Sequence, residues 1–160
     1  MTGRMICRLS VSGAIMVFIA VLPSIVSAEQ QGSSQGACAL LSPAEIAMAT
    51  GVMVGTGTAG PAVPGTLGRC TWPGSGDTKV IVTLADAQHM QTTVAAQERT
   101  GTDIPGIGSK AVGVRGASFT GGGYIISILD AKGGVGVSIL GKDGTRDRAV
   151  ALAKIVESHR

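Results

Sequence analysis

Gly121-Gly122-Gly123-Tyr124-Ile125-Ile126-Ser127-Ile128-Leu129-Asp130-Ala131-Lys132-Gly133-Gly134-Val135-Gly136-Val137-Ser138-Ile139-Leu140 is the stretch that decides the fold. Tyr124 to Leu129 is apolar apart from Ser127. Val135 to Leu140 sets Val135, Val137 and Ile139 against Gly136, Ser138 and Leu140, the two-residue alternation of a strand. Gly121–Gly123 and Gly133-Gly134 punctuate the runs as turns. Short strands joined by tight glycine turns favour an antiparallel sheet.

The pattern extends upstream. Lys110 to Arg115 is a further strand candidate, with Val112 and Val114 on one face. Lys79 to Leu84 alternates as well, and through Pro73-Gly74-Ser75-Gly76-Asp77 it forms a hairpin with Gly68 to Trp72. Between and around these strands lie three helix signatures. Ser42-Pro43-Ala44-Glu45 is a capping box with proline in the first turn, and Gly51 ends that helix, so the pattern predicts a helix over Pro43 to Thr50. Asp86 caps a second, from Ala87 to about Arg99, with Met90, Val94 and Ala95 at helical spacing. Arg146 to Ser158 is the third, with Ala149, Leu152, Ala153 and Val156 facing inward. The expected fold is α+β: a single antiparallel β-sheet with helices packed on one face.

The chain starts with the order of a secretory signal peptide. Arg4 and Arg8 precede the apolar run Ala14 to Leu22, Pro23 and Ser24 break it, and Val26-Ser27-Ala28 offers small residues for cleavage. The run is far shorter than the roughly twenty apolar residues that span a bilayer. The expected division is therefore a signal peptide over 1–28, a Gln/Ser/Gly flexible leader over 29–37 and one α+β domain over 38–160. Its expected location is secreted or periplasmic, with no stable membrane anchor after cleavage.

Cleavage changes the charge that matters. Losing Arg4 and Arg8 takes thirteen basic residues to eleven against ten acidic ones, so the net charge falls from +3 to +1. Lys142, Arg146, Arg148 and Lys154 are interleaved with Asp143, Asp147 and Glu157 and read as a solvated helix face. That pattern argues against nucleic acid as a partner. Cys7 leaves with the signal, so Cys38 and Cys70 are the remaining pair and, in an oxidising compartment, are expected to form a disulfide. The mature domain keeps one Trp, one Tyr and one Phe, so its core is aliphatic and thin.

Several motif matches fail on context. Gly55-Thr56-Gly57-Thr58-Ala59-Gly60 has dinucleotide-loop spacing, but Pro61 and Pro64 follow where a helix should open. Gly32-Ser33-Ser34-Gln35-Gly36 spells a nucleophile elbow, but inside the leader. Asp86 and His89 share a helix face and, with Ser109 or Ser127, sketch a small extracytoplasmic hydrolase. The plainer reading of Asp86 is the helix cap, and His159 is expected to fray. No catalytic, cofactor or metal residue is assigned. Trp72 is expected to pack on the disulfide or the first helix. If exposed, Trp72 and Tyr124 form a possible binding surface, with Phe119 as a weaker companion.

Cys38-Ala39-Leu40-Leu41-Ser42-Pro43-Ala44-Glu45, Cys70-Thr71-Trp72 and Pro105-Gly106-Ile107-Gly108 with Ala111 together resemble a family of small exported bacterial domains. Those domains are common in actinobacteria, often lipid-anchored, and of unknown function. The resemblance implies an α+β fold with a disulfide joining the first helix to the sheet, and it carries no catalytic residues across. This chain has no cysteine directly after the apolar run to take a lipid. The expected function is a non-catalytic binding or accessory domain outside the cytoplasm, taking an envelope protein or a small ligand through the loop Gly55 to Gly68 or the turns around Gly121 and Gly133. The alternatives are the hydrolase above or a structural envelope protein.

Overall fold

A computed structural model describes residues 36–61, 63–118 and 121–160. The expected signal peptide, most of the leader and Phe119 lie outside these residues. After a helical turn at 36–39 the elements are α1 (Pro43–Thr50), β1 (Thr58–Gly60), β2 (Thr66–Pro73), β3 (Lys79–Ala85) and α2 (Ala87–Gln97). They continue as β4 (Thr102–Asp103), β5 (Lys110–Arg115), β6 (Gly123–Asp130), β7 (Gly133–Leu140) and α3 (Arg146–Ser158). The last two leader residues are already packed: Ala37 is fully buried in that first turn.

The strands form one seven-stranded sheet in the order β1-β2-β3-β7-β6-β5-β4, and every pairing is antiparallel. The chain runs as two meanders joined along β3 and β7, and α2 carries it from the middle of the sheet to the far edge. The β6–β7 hairpin is in register from Gly123 opposite Leu140 to Asp130 opposite Gly133. Asp130 Oδ1 accepts from the Lys132 amide at 2.6 Å and closes its turn.

Gly133 and Gly134, expected to be turn residues, are inside β7. The reason is a neighbour: a Cβ on Gly134 would run into Met90 of α2, so the glycine makes room for the helix.

Register separates the two faces. Residues opposite one another share a face, so Val82, Val137 and Ile126 point one way while Thr83, Gly136 and Ser127 point the other. The first face holds Val80, Val82, Ile126, Ile128, Val135, Val137 and Ile139 against Ile46 of α1 and Ala149, Leu152, Ala153 and Val156 of α3. The second holds Ala85, Val112 and Leu129 against Met90 and Val94 of α2. The α+β class and the single antiparallel sheet are as expected. The placement of helices on one face is corrected: α1 and α3 share a face, and α2 lies on the other. The physical cause is legible in β6, whose nearly unbroken apolar run supplies Ile126 and Ile128 to one side and Leu129 to the other.

The caps form as read. Ser42 Oγ accepts from the Glu45 amide at 3.2 Å, Glu45 Oε2 accepts from the Ser42 amide at 2.7 Å, and Gly51 takes φ 67° after the last turn. The Ser42 hydroxyl and amide, with a smaller contribution from His159, hold the Glu45 carboxyl below its usual range despite some desolvation. Asp86 Oδ1 accepts from the His89 amide at 2.7 Å and starts α2. That helix stops at Gln97, short of Arg99, because the Thr100 and Gly101 amides both turn back to the Gln97 carbonyl.

Cys38 and Cys70 are disulfide-bonded with a Cα–Cα distance of 5.0 Å, tying the turn ahead of α1 to β2. The end of the chain is clasped and not frayed. His159 Nδ1 lies 2.9 Å from the Leu40 carbonyl oxygen and Nε2 lies 3.5 Å from Glu45 Oε1. Arg160 donates to Asp130 Oδ2 at 2.8 Å, and these two side chains are only 9% and 12% exposed.

Candidate functional site

The two aromatic residues of the expected surface have separate fates. Trp72 is 1% exposed on β2, on the face covered by α1 and α3, so it offers no surface for binding. Its ring is pinned from the other side by the glycine loop. A Cβ on Gly57 would stand 2.5 Å from Trp72 Nε1 and 2.9 Å from Cys70 Sγ. The Gly55 amide donates to the Pro73 carbonyl at 2.7 Å, and Thr58–Gly60 becomes edge strand β1. The glycine spacing that imitates a dinucleotide loop is therefore a seat for the tryptophan and the disulfide.

The hydrolase residues are not assembled. Asp86 spends its carboxylate on the cap, and Ser109 Oγ donates to the Leu129 carbonyl at 2.7 Å. Ser127 is 3% exposed on the sheet face that α2 covers. The His89 ring instead lies against Gly65, whose φ of 82° and lack of a side chain leave it space. Neither serine is hydrogen-bonded to His89 among the described residues. No three His, Cys, Asp or Glu residues among them are grouped to hold a metal ion, and no helix among them is long and apolar enough to cross a membrane.

Tyr124 sits differently. It is the second residue of β6, paired with Arg115 of β5 and Ile139 of β7. Its ring lies across Gly113, where a Cβ would come within 2.6 Å of Cε1 and 2.7 Å of the hydroxyl oxygen. Only glycine leaves the ring this position. The residue is 7% exposed, yet its hydroxyl has no hydrogen-bond partner among the described residues. It lines a cleft of about 700 Å³ between the β4–β5 edge, the loop 121–123 and the start of α3.

Glycine shapes the wall of that cleft. The Gly122 amide donates to Ala117 and the Gly141 amide to Gly122, stitching the two loops together, while the Gly144 amide turns back to Gly141. A Cβ on Gly144 would collide with the Ile139 carbonyl, so α3 can begin this close to the sheet only from a glycine. Thr145 then caps the helix, its Oγ1 facing the Arg148 amide at 3.5 Å.

The charge around the cleft is one-sided. Arg115, Lys142 and Arg146 line it and form no ion pair among the described residues. The nearest acid in sequence, Asp143, is committed elsewhere: Thr78 Oγ1 donates to it at 2.8 Å and Arg148 at 3.2 Å. The Thr78 hydrogen bond holds the Asp143 carboxyl below its usual range, against some desolvation and with help from Arg148 and Lys142. The sequence reading singled out Tyr124 and the turn at Gly121. Nothing in the sequence points to Gly113 or Arg115, and Lys142 and Arg146, read as part of a solvated face, are indeed exposed, at the rim of this cleft. No local signal links these residues: strand register sets Arg115 beside Tyr124, and the loop after β7 and the start of α3 bring Lys142 and Arg146 to the same cleft.

No protein-family model matches this chain, and neither a curated protein nor a solved structure matches it.

Proposed function

We propose that this chain is an exported, non-catalytic binding domain that takes a small ligand in the Tyr124 cleft. The observation that carries the reading is the Tyr124 hydroxyl: a polar group on a residue 93% withdrawn from solvent, unpartnered among the described residues, on the lining of a concave site. With no protein group claiming it, that hydroxyl is free to exchange water for a ligand's hydrogen bond inside the concave site. Of the two partner classes expected from sequence, an envelope protein or a small ligand, concavity favours the small ligand. The disulfide is compatible with a location outside the cytoplasm. The signal-like start at Met1 to Ala28 and the resemblance to small exported bacterial domains support the same location.

Amide NMR of the mature domain, titrated with neutral, cationic and anionic small molecules, tests the reading. At least one class is expected to shift Gly113, Gly121–Gly123 and Gly141–Arg146 together and saturably. Shifts confined to other surfaces, or none with any class, would contradict it.

A further inference from the structure

We infer that the cleft is an oxyanion site, built to hold the phosphoryl group of a small molecule; the inference rests on the binding function proposed above and assigns its ligand chemistry. Three independent features converge on it. Arg115, Lys142 and Arg146 enter from three different elements, the end of β5, the loop after β7 and the first turn of α3. None forms an ion pair among the described residues, and although Lys142 acts on Asp143 through space, a ligand entering the cleft meets an excess of positive charge.

The second feature is the start of α3, a helix of thirteen residues. Thr145 serves the Arg148 amide, and the amides of Arg146 and Asp147 have no acceptor within the helix. Helix starts of this kind favour anions through those free donors and the aligned peptide dipoles.

The third feature separates a built site from general attraction. Tyr124 is a buried residue that lines the same cleft, and its hydroxyl, open to the cleft, has no protein partner among the described residues. An oxyanion accepts from every donor gathered here: hydroxyl, guanidinium, ammonium and amide. A neutral ligand would leave three cations unanswered. Of the nearby acids, Asp143 faces Thr78 and Arg148, and Asp147, in the first turn of α3, is exposed and lies outside the cleft lining.

The test is amide NMR of the full mature domain with inorganic phosphate, acetate and glucose, each at constant ionic strength. Phosphate is expected to shift Gly113, Gly121–Gly123 and Arg146 saturably, and more tightly than acetate. Tyr124→Phe keeps the ring over Gly113, and its spectrum outside the cleft reports that it is folded. This variant is expected to weaken phosphate about tenfold to a hundredfold, the usual scale of one hydrogen bond to a charged group. Arg115→Gln, which removes one cation without touching the core, is expected to weaken it similarly and to lower its salt dependence. Phosphate shifts that are unchanged in both variants would reveal unspecific attraction and overturn the inference. Saturable shifts with glucose but not phosphate would overturn the oxyanion assignment and leave the binding reading standing. Cleft amides silent to all three would overturn the inference, and the wider titration above then decides the binding reading on its own.

Discussion

Trp72→Ala is expected to destabilise the domain by about 3–5 kcal/mol, the usual range for emptying an aromatic core position. The size follows from where the ring is. Trp72 is the bulkiest fully buried side chain among the described residues, and the chain's only tryptophan. Its indole is enclosed by the sheet below, by the covering helices and by Gly57 alongside. The walls cannot close on the vacancy, because β2 is paired on both sides and Cys70, two residues away, is held by its disulfide. A domain of this size has a total stability of roughly 5–15 kcal/mol, so the loss takes a large share. Urea unfolding followed by far-ultraviolet circular dichroism measures it without needing tryptophan emission. A loss below about 1 kcal/mol would mean that the ring is not a packed core element.

Removing the disulfide is expected to destabilise by roughly 3–4 kcal/mol on the chain-entropy estimate. Cys38 and Cys70 lie 32 residues apart, and the loop they close holds α1, the glycine-rich segment and β1. Those are the parts least able to hold themselves. β1 has three residues, α1 has eight, and the segment between them has few apolar side chains to bury. The paired double change Cys38→Ala with Cys70→Ala should lower the urea midpoint, and unfolding under reducing conditions should reproduce the shift in the unaltered chain. Combining it with Trp72→Ala should cost less than the sum of the two, because Cys70, Trp72 and Gly57 share one packing site. Full additivity would show that the disulfide and the tryptophan act independently.

The legible part of this fold is local. The β6–β7 hairpin, the Ser42–Glu45 box and the Asp86 cap all rest on neighbours within a few residues, and each forms where the residue types demand it. What was hidden depends on residues far apart in the chain. Gly134 looks like a turn residue until Met90, forty-four positions earlier, is found occupying the space of its missing side chain. The side of β7 formed by Gly134, Gly136 and Ser138 suggests solvent, yet α2 packs over Gly134. His159 looks like a frayed end until the Leu40 carbonyl and Glu45 are seen beside it.

The candidate site was legible in one residue and hidden in the rest. A single tyrosine in an aliphatic domain stands out by composition. That it needs Gly113 beneath it and has Arg115 opposite it is a matter of strand register, which alternation alone does not fix. Lys142 and Arg146 have acidic neighbours in sequence, and only the Thr78–Asp143 hydrogen bond shows that the neighbouring carboxylate is turned to other work.

Peptide mapping of the exported protein by mass spectrometry, without reduction, probes the foundation of this account most directly. The predicted result is a chain beginning at Glu29, with the peptides carrying Cys38 and Cys70 recovered as one covalently linked pair. A working protein that starts at Met1 and yields the two cysteines as separate free thiols would contradict it.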